Sequence, residues 1–428
     1  MKSLKTLIIA YWAKTLDATA IFLRFASRKF RALMIPIQRI FGFYVIPDPI
    51  KSRSIDLSAF LTETDQKIAE LPKPYRELFD LSAAISSEMF INAGDNINQV
   101  QKAYDAWKDG FPSSIAIVGE KGSGKSTLIH MLKELVFTDI PITNIDFAQS
   151  TWKIEQILSS LGTAFEVSDV NRPETLINAI NARDERFVVC LEGLQNLYLR
   201  NINGFEALEA LWLIISETKE KVLWLTSCSR YAWEFLNKVE GIDAHFSHVC
   251  ATDTLNDEQI TNVIMKRHDK SVFKLRFEPD ESTRKSRNYK KRLNNPKEIQ
   301  AYLKEVYFEE LTELTGGNAS VAAISWLRSI KKIEGRTLVI APFQPVNIDS
   351  LEILNSETLF VLAAIILHDT LKVAELCRVM NLNLSTSKVL LSRLKSRGFL
   401  LENQGAYYLN QLVYRQVLRL LKKRNIIH

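Results

Sequence analysis

Apolar and polar segments alternate along the middle of the chain in a way that predicts strands and helices in turn. Four short apolar runs have the length of buried strands, namely Ser114–Val118, Thr143–Phe147, Phe187–Leu191 and Val222–Ser227. The segments between them have the spacing of packed helices, namely Ser126–Leu135, Trp152–Leu161, Pro173–Asn181 and Phe205–Thr218. Strands alternating with helices predict an α/β fold in which helices cover both faces of a parallel sheet.

The pattern changes on either side of this core. From Leu255 to Lys332 the strand signals fade and helical spacing takes over, and the basic stretch Arg284–Arg292 within it is expected to be an exposed loop. Residues 351–428 predict a separate region of three helices and a hairpin, with Ser385–Thr386 starting the third helix. The hairpin arms are Phe399–Leu401 and Tyr407–Leu409, joined through Asn403-Gln404-Gly405.

Prolines at 47, 49, 72 and 74 bracket a polar linker before the core. The chain is therefore expected to divide into an N-terminal arm with linker over residues 1–74, a core over 75–254, a helical region over 255–345 and a C-terminal region over 346–428. A length of 428 residues is enough for two or three domains of roughly 100–200 residues each.

Charge is concentrated in the N-terminal arm. The whole chain carries +6, whereas residues 1–53 hold ten Lys and Arg against two Asp, a balance of +8. Lys14, Asp17 and Arg24 interrupt the apolar run, so neither a membrane span nor a signal peptide is expected. Two interpretations of residues 1–45 stay open: an amphipathic helix lying on a bilayer surface or on a partner helix, or a helical extension packed on the protein's own body.

The number and spacing of the cysteines argue against stabilisation by disulfide bonds or by a zinc ion. Cys190, Cys228, Cys250 and Cys377 form no CxxC pair and no cluster with histidine. The sequence therefore predicts neither a disulfide framework nor a zinc site, and these thiols are expected to be reduced in the core of a cytoplasmic protein.

One stretch carries recognisable chemistry. The sequence GEKGSGKS, from Gly119 to Ser126, fits the pattern G-x-x-x-x-G-K-[ST] between a predicted strand and a predicted helix. Glycines let successive backbone amides point at an anion, and the helix N-terminus that follows favours negative charge. We expect Lys125 to reach the β- and γ-phosphates of a nucleotide and Ser126 to hold Mg²⁺. The predicted binding residues are Gly119, Glu120, Lys121, Gly122, Ser123, Gly124, Lys125, Ser126 and Thr127.

An enzyme that uses such a phosphate-binding loop, or P-loop, also needs an acidic group near the metal at the end of a neighbouring buried strand. The run Phe187–Leu191 ends in Glu192, about 70 residues after the loop. Glu192 is therefore predicted as the second metal ligand and as a catalytic residue together with Lys125.

With these motifs, residues 75–428 resemble the AAA+/STAND branch of P-loop ATPases, which pair an ATPase core with a helical lid and a C-terminal winged helix. Members usually end the Glu192 strand with two acidic residues, whereas here Gly193 stands where a water-activating acid is often found. Glycine cannot act as a base, so slow hydrolysis is expected. The resemblance also implies that Thr226 or Ser227 senses the γ-phosphate at the end of the next strand.

Two further roles follow from the resemblance. Arg230 would be an arginine finger toward a neighbouring subunit, although an ordinary surface arginine is the alternative. Asn318, in the segment GGNASVAAISWL, would begin a lid helix near the nucleotide. No N-K-x-D segment follows the core strands, so ATP rather than GTP is expected.

Residues 351–428 resemble a winged helix and carry a balance of +6. In a DNA-binding winged helix the third helix enters the major groove, and the candidate DNA contacts on it are Ser385, Thr386, Ser387, Lys388, Arg393, Lys395 and Arg397. The last helix adds Arg415, Arg419, Lys422, Lys423 and Arg424. DNA contact and a protein-facing or autoinhibitory role both stay open.

The sequence thus predicts an ATP- and Mg²⁺-binding ATPase that works as a nucleotide-dependent switch or as an assembly and remodelling factor. Two alternatives remain, an ATP-dependent DNA-binding initiator or regulator and a membrane-associated signalling or defence ATPase. The expected partners are ATP, further copies of the chain or another protein, DNA through the C-terminal region, and a membrane surface through residues 1–45. The expected location is the cytoplasm, including the inner face of the membrane.

Overall fold

The computed structural model describes residues 57–80, 94–252, 254–343 and 354–427. The described residues all belong to one compact unit, Ile55–His428. The arm predicted over residues 1–45 lies outside them. Within the described ranges, every helix is too short or too polar to cross a bilayer.

A five-stranded parallel sheet forms the centre of this unit, in the spatial order β2-β3-β4-β1-β5. The strands are β1 Ser114–Gly119, β2 Ile142–Asp146, β3 Phe187–Glu192, β4 Val222–Ser229 and β5 His248–Ala251. Every residue of β1 and β4 is buried, because both strands lie inside the sheet and both faces are covered. The predicted α/β fold is confirmed, with β5 as an additional edge strand.

Helices cover the two faces of this sheet. Helices α1 Leu57–Glu70 and α2 Lys73–Glu77 precede the sheet and pack elsewhere. The covering helices are α3 Gly94–Lys108, α4 Lys125–Leu135, α5 Ile154–Phe165, α6 Pro173–Asn181, α7 Glu206–Thr218 and α8 Arg230–Glu240. Successive side chains of a strand point to opposite faces. Ala116 and Val118 therefore join a core with α5 to α8, whereas Ile115 and Ile117 join a second core with α3 and α4.

The region after the core contains a small sheet that the sequence pattern did not predict. Its helices are α9 Asp257–His268, α10 Glu281–Lys285, α11 Arg287–Lys291, α12 Pro296–Thr315 and α13 Ala319–Ser329, and its strands are β6 Lys274–Phe277, β7 Ile330–Glu334 and β8 Thr337–Ile340. Strand β8 lies between the other two, parallel to β6 and antiparallel to β7. The expectation of a wholly helical segment is wrong here because β6 and β7 are short, contain basic residues and are mostly exposed.

The basic stretch Arg284–Arg292 is also corrected by the structure. It forms two short helices, α10 and α11, rather than a loop. The hydroxyl of Ser286 accepts a hydrogen bond from the backbone amide of Tyr289 at 3.1 Å, which caps the second helix.

The C-terminal region contains the predicted helices and hairpin. Its elements are α14 Ser356–His368, β9 Thr370–Lys372, α15 Val373–Met380, α16 Leu384–Ser396, β10 Leu400–Asn403, β11 Ala406–Leu409 and α17 Gln411–Lys423. Strands β10, β11 and β9 form an antiparallel sheet in that order. The third helix starts earlier than predicted, because Asn383 rather than Ser385–Thr386 provides its cap by accepting from the Thr386 amide at 2.8 Å.

Candidate phosphate-binding site

The loop Gly119–Ser126 joins β1 to α4, as the motif requires. Gly122 and Gly124 have φ angles of 78° and 92°, in the left-handed region that side-chain-bearing residues seldom adopt. Gly124 is the N-cap of α4, so the loop leads directly into the positive end of a helix. This local geometry is that of an anion-binding turn.

The Lys125 side chain lies back over this loop. Its Nζ donates to the carbonyl oxygens of Gly119 at 3.0 Å and Glu120 at 2.9 Å. Burial lowers the pKa of the Lys125 ammonium, while the negative charge of Asp369 acts in the opposite direction. A positive charge is thus held at the loop, where a phosphate would compensate its lost hydration.

Ser126 and Glu192, which are 66 residues apart in the chain, meet at this loop. The Ser126 hydroxyl donates to Oε2 of Glu192 at 2.6 Å. A hydroxyl and a carboxylate are oxygen ligands of the kind that Mg²⁺ prefers, usually completed by waters and substrate phosphates. Among the described residues no cluster of three or more His, Cys, Asp or Glu has the arrangement of a metal site.

The position after Glu192 has no room for an acid. Gly193 has φ 86°, and a Cβ atom there would lie 2.6 Å from the carbonyl oxygen of Phe147. A second carboxylate comes instead from the neighbouring strand, where Asp146 pairs in register with Glu192. Burial, and then the charge of Glu192, raises the pKa of Asp146.

Thr226 and Ser227 lie inside β4 rather than at its end, because this strand continues to Ser229. The buried Thr226 hydroxyl donates to the Ile115 carbonyl at 3.5 Å. The Ser227 hydroxyl accepts from the Gly193 amide at 3.3 Å. Both side chains therefore connect strands of the sheet in this structure, and their predicted role as phosphate sensors stays a prediction.

Arg230 and Asn318 occupy different environments. Arg230 begins α8, is half-exposed, and its Nε donates to Oε1 of Glu234 at 2.9 Å one turn further on. Asn318 caps α13, is almost fully buried, and its Nδ2 donates to the Lys121 carbonyl at 2.8 Å. The structure therefore brings Asn318 to the loop Gly119–Ser126, called the phosphate loop from here on, as predicted. Arg230 instead forms its ion pair within its own helix.

The other predicted loop residues make structural contacts or lie in the first helical turn. The Ser123 and Thr252 hydroxyls are 2.7 Å apart, which ties the loop to the chain after β5. The Gly122 carbonyl accepts from the Ser320 hydroxyl at 3.2 Å. Thr127 lies in the first turn of α4.

The C-terminal region supplies two loop contacts that sequence reasoning missed. Oδ1 of Asp369 lies 2.7 Å from Nζ of Lys121, and Arg415 lies 3.2 Å from the carboxylate of Glu120. These partners are 248 and 295 residues apart in sequence, so no local spacing could have indicated them. Gln195 also reaches Asp369, with its Nε2 donating to Oδ2 at 3.5 Å.

No protein-family model matches the chain, and no curated protein does. Solved structures with a similar fold include ORC2 of Aeropyrum pernix (13% identity, 82% of this chain and 98% of that chain, TM-score 0.45). Two others are Cdc6p of Pyrobaculum aerophilum (12%, 81% and 98%, TM-score 0.43) and the Holliday junction branch migration motor RuvB of Thermotoga maritima (13%, 77% and 95%, TM-score 0.35). These likenesses are distant, at 12–13% identity.

Proposed function

We propose that this chain is a Mg²⁺-dependent ATP-binding P-loop protein of the AAA+/STAND type, which uses nucleotide binding as a switch and hydrolyses ATP slowly. The observation that carries the proposal is the 2.6 Å hydrogen bond between Ser126 and Glu192, next to a glycine loop that holds Lys125. Hydroxyl, carboxylate and ammonium are the three groups that a Mg²⁺–triphosphate needs at the end of a parallel sheet.

Each group has a distinct task in this proposal. The backbone amides of the loop and of the N-terminus of α4 donate hydrogen bonds to the phosphate oxygens, and Lys125 compensates the charge of the β- and γ-phosphates. Ser126 and Glu192 hold Mg²⁺, which when bound neutralises charge that develops on the phosphates. Asn318, at the start of lid helix α13, holds the loop through its hydrogen bond to the Lys121 carbonyl.

Slow hydrolysis follows from the residue after Glu192. General-base assistance typically contributes a factor of about 10²–10⁴ to a rate, and Gly193 has no side chain to supply it. Asp146, level with Glu192 at the end of β2, is the carboxylate that supports residual turnover in this proposal. A protein that hydrolyses ATP slowly stays in its ATP-bound state for longer, which suits switching rather than rapid ATP consumption.

The proposal is tested by steady-state ATP turnover of the full chain with and without Mg²⁺. Turnover is expected to require Mg²⁺ and to be lost in Glu192→Gln, which keeps the size of the side chain and removes its charge. Glu206→Gln, an acidic residue in the first turn of α7, is the matched control and is expected to match the wild type. Equal turnover of Glu192→Gln and the wild type would place the metal elsewhere.

A DNA-binding role is the second candidate, favoured by the outward face of α16. Ser385, Lys388 and Arg393 are exposed on this helix. Two other residues of the C-terminal region, Asp369 and Arg415, contact the phosphate loop. Phosphate contacts weaken steeply with salt. Binding to duplex DNA that falls with salt and with the Lys388→Ala/Arg393→Ala double substitution supports this role, whereas unaltered binding in that variant excludes α16 as the contact.

The third candidate function is a membrane-associated switch. For it we propose a cytoplasmic location at the inner face of the membrane. Its support is the +8 balance of residues 1–53, because basic segments are attracted to anionic lipid headgroups. Vesicles containing anionic lipid are expected to bind the full chain and not a chain lacking residues 1–45. Equal binding of both chains contradicts this alternative.

A further inference from the structure

Asp369 brings a carboxylate from the C-terminal region to the phosphate loop. It directly follows α14 and is held between Lys121, at 2.7 Å from its Oδ1, and Gln195, at 3.5 Å from its Oδ2. Only 23% of its side chain is exposed. Its backbone has φ 63° and ψ −41°, which a residue with a side chain rarely adopts. A strained, largely covered carboxylate is thus fixed against the loop by two donors.

The carboxylate of Asp369 pairs with one of the two lysines of the loop. Lys121 contacts it at 2.7 Å and keeps only 26% of its side chain exposed, whereas Lys125 lies back over the loop carbonyls. An anionic group from elsewhere in the fold therefore already compensates a positive charge of this loop.

A second ion pair fastens the same region to the same loop. Nη1 of Arg415 in α17 lies 3.2 Å from Oε2 of Glu120. Its Nε and Nη2 donate to the carbonyls of Thr315 and Gly316 at 3.1 and 2.8 Å, at the end of lid helix α12. Arg415 thus joins the phosphate loop, the lid and the last helix, which keeps Asp369 in place.

We propose that Asp369 is a built-in substitute for nucleotide phosphate, so that docking of the C-terminal region on the loop and binding of ATP oppose each other. The inference rests on the proposed function and specifies how the site is regulated. ATP would bring several negative charges beside the Asp369 carboxylate, where low exposure leaves little water to screen them. Binding of ATP therefore releases the Lys121–Asp369 contact and frees the C-terminal region.

The coupling is reciprocal, because ATP binding and docking of the C-terminal region each change the free energy of the other by the same amount. Removing the carboxylate must therefore tighten ATP binding, and adding ATP must loosen the C-terminal region. Couplings of this kind commonly change affinity by about 5- to 150-fold. We expect Asp369→Asn to tighten binding of Mg²⁺–ATP by about tenfold.

The test is calorimetric titration of the full chain with ATP and Mg²⁺, for the wild type, Asp369→Asn and Asp369→Gly. Asp369→Gly removes the carboxylate and at the same time relieves the positive φ, so it keeps the test usable if Asp369→Asn folds poorly. Glu357→Gln, at the opposite end of α14, is the matched control and is expected to bind ATP as the wild type does. Hydrogen exchange in residues 366–372 is measured in parallel and is expected to accelerate when ATP is added to the wild type.

The outcomes distinguish a failure of the Asp369 proposal from a failure of the proposed ATP binding. Tighter binding in both Asp369 variants, with faster exchange in the wild type, supports the inference. Unchanged affinity in both variants overturns it while leaving the proposed ATP binding intact. Absence of ATP binding in the wild type and in both variants removes the proposed function itself.

Discussion

The carbonyl oxygen of Phe147 stands 2.6 Å from the point that a Cβ atom on Gly193 would occupy. Phe147 follows β2 and Gly193 follows β3, and the Phe147 amide donates to the Glu192 carbonyl at 3.0 Å, so the two strands stay joined beyond their ends. This close approach explains why a glycine follows Glu192. It also means that the usual acidic residue cannot simply be restored.

Substitution of Gly193 is therefore expected to destabilise the fold without raising turnover. Gly193→Ala must displace backbone and also adopt φ 86°, and we expect a loss of about 3 kcal/mol in the free energy of unfolding. Gly241→Ala is the control, since Gly241 also has a positive φ but its Cβ would meet open space. A loss of about 1 kcal/mol is expected there from conformation alone. Equal losses by denaturant unfolding, or faster ATP turnover in Gly193→Glu, would contradict this explanation.

Loss of Arg415 is expected to be costly because Glu120 is buried. The side chain of Glu120 is 8% exposed and that of Arg415 is 16% exposed. Removing one member of such a pair leaves a charge with reduced access to water, and Arg415→Gln is expected to lower the free energy of unfolding by about 3 kcal/mol.

Three further variants, Arg419→Gln, Glu120→Gln and Glu120→Gln with Arg415→Gln, check the Arg415 prediction by denaturant unfolding. Arg419→Gln, on the exposed side of the same helix, is expected to cost no more than about 0.5 kcal/mol. Glu120→Gln combined with Arg415→Gln is expected to cost less than the sum of the two single changes, because the pair is removed together. Strict additivity would show that the two charges do not interact.

Because His368 is buried, we expect the stability of the fold to depend on pH. Burial lowers the pKa of this imidazole to about 4. Its Nε2 accepts from the Arg200 amide at 3.0 Å, so Nδ1 carries the proton and donates to the Ala364 carbonyl at 2.7 Å. The imidazole also stacks on Tyr198, with ring centroids 4.8 Å apart. The folded protein therefore holds His368 neutral in a site that has no acceptor for a second proton.

Because the unfolded chain takes up this proton near pH 6.5 and the folded one only near pH 4, stability falls as pH drops through that window. Between pH 7.5 and pH 5 the contribution of His368 is a loss of about 2 kcal/mol. The measurement is chemical unfolding at both pH values for the wild type and His368→Gln. The pH dependence is expected to be smaller in the variant, and an identical pH dependence would exclude His368 as its source.

The features that sequence could predict are those set by local chemistry. The loop glycines, the cap at Asn318 and the apolar runs of the sheet each leave a signal within a few residues. The meeting of Ser126 and Glu192 was also predictable, since parallel strands end at one edge of a sheet. Strand and helix bounds in the core agree with the expectations to within a few residues.

The features that sequence could not predict depend on tertiary packing. Strands β6 and β7 are mostly exposed and interrupted by Lys and Arg, so they lack the apolar run by which a buried strand is recognised. The ion pairs of Lys121 with Asp369 and of Glu120 with Arg415 join residues more than 200 positions apart. Side-chain charge alone does not specify such partners, because the chain offers 55 Lys and Arg and 49 Asp and Glu.

The central claim is that the loop Gly119–Ser126 binds the phosphates of ATP through Lys125. Its most direct test is calorimetric titration with ATP and Mg²⁺ of the wild type and Lys125→Ala, with each also made in the Asp369→Asn background. We expect Lys125→Ala to weaken binding by at least about tenfold in both backgrounds, which is about 1.4 kcal/mol. ATP affinity that is the same with and without Lys125 would contradict the account.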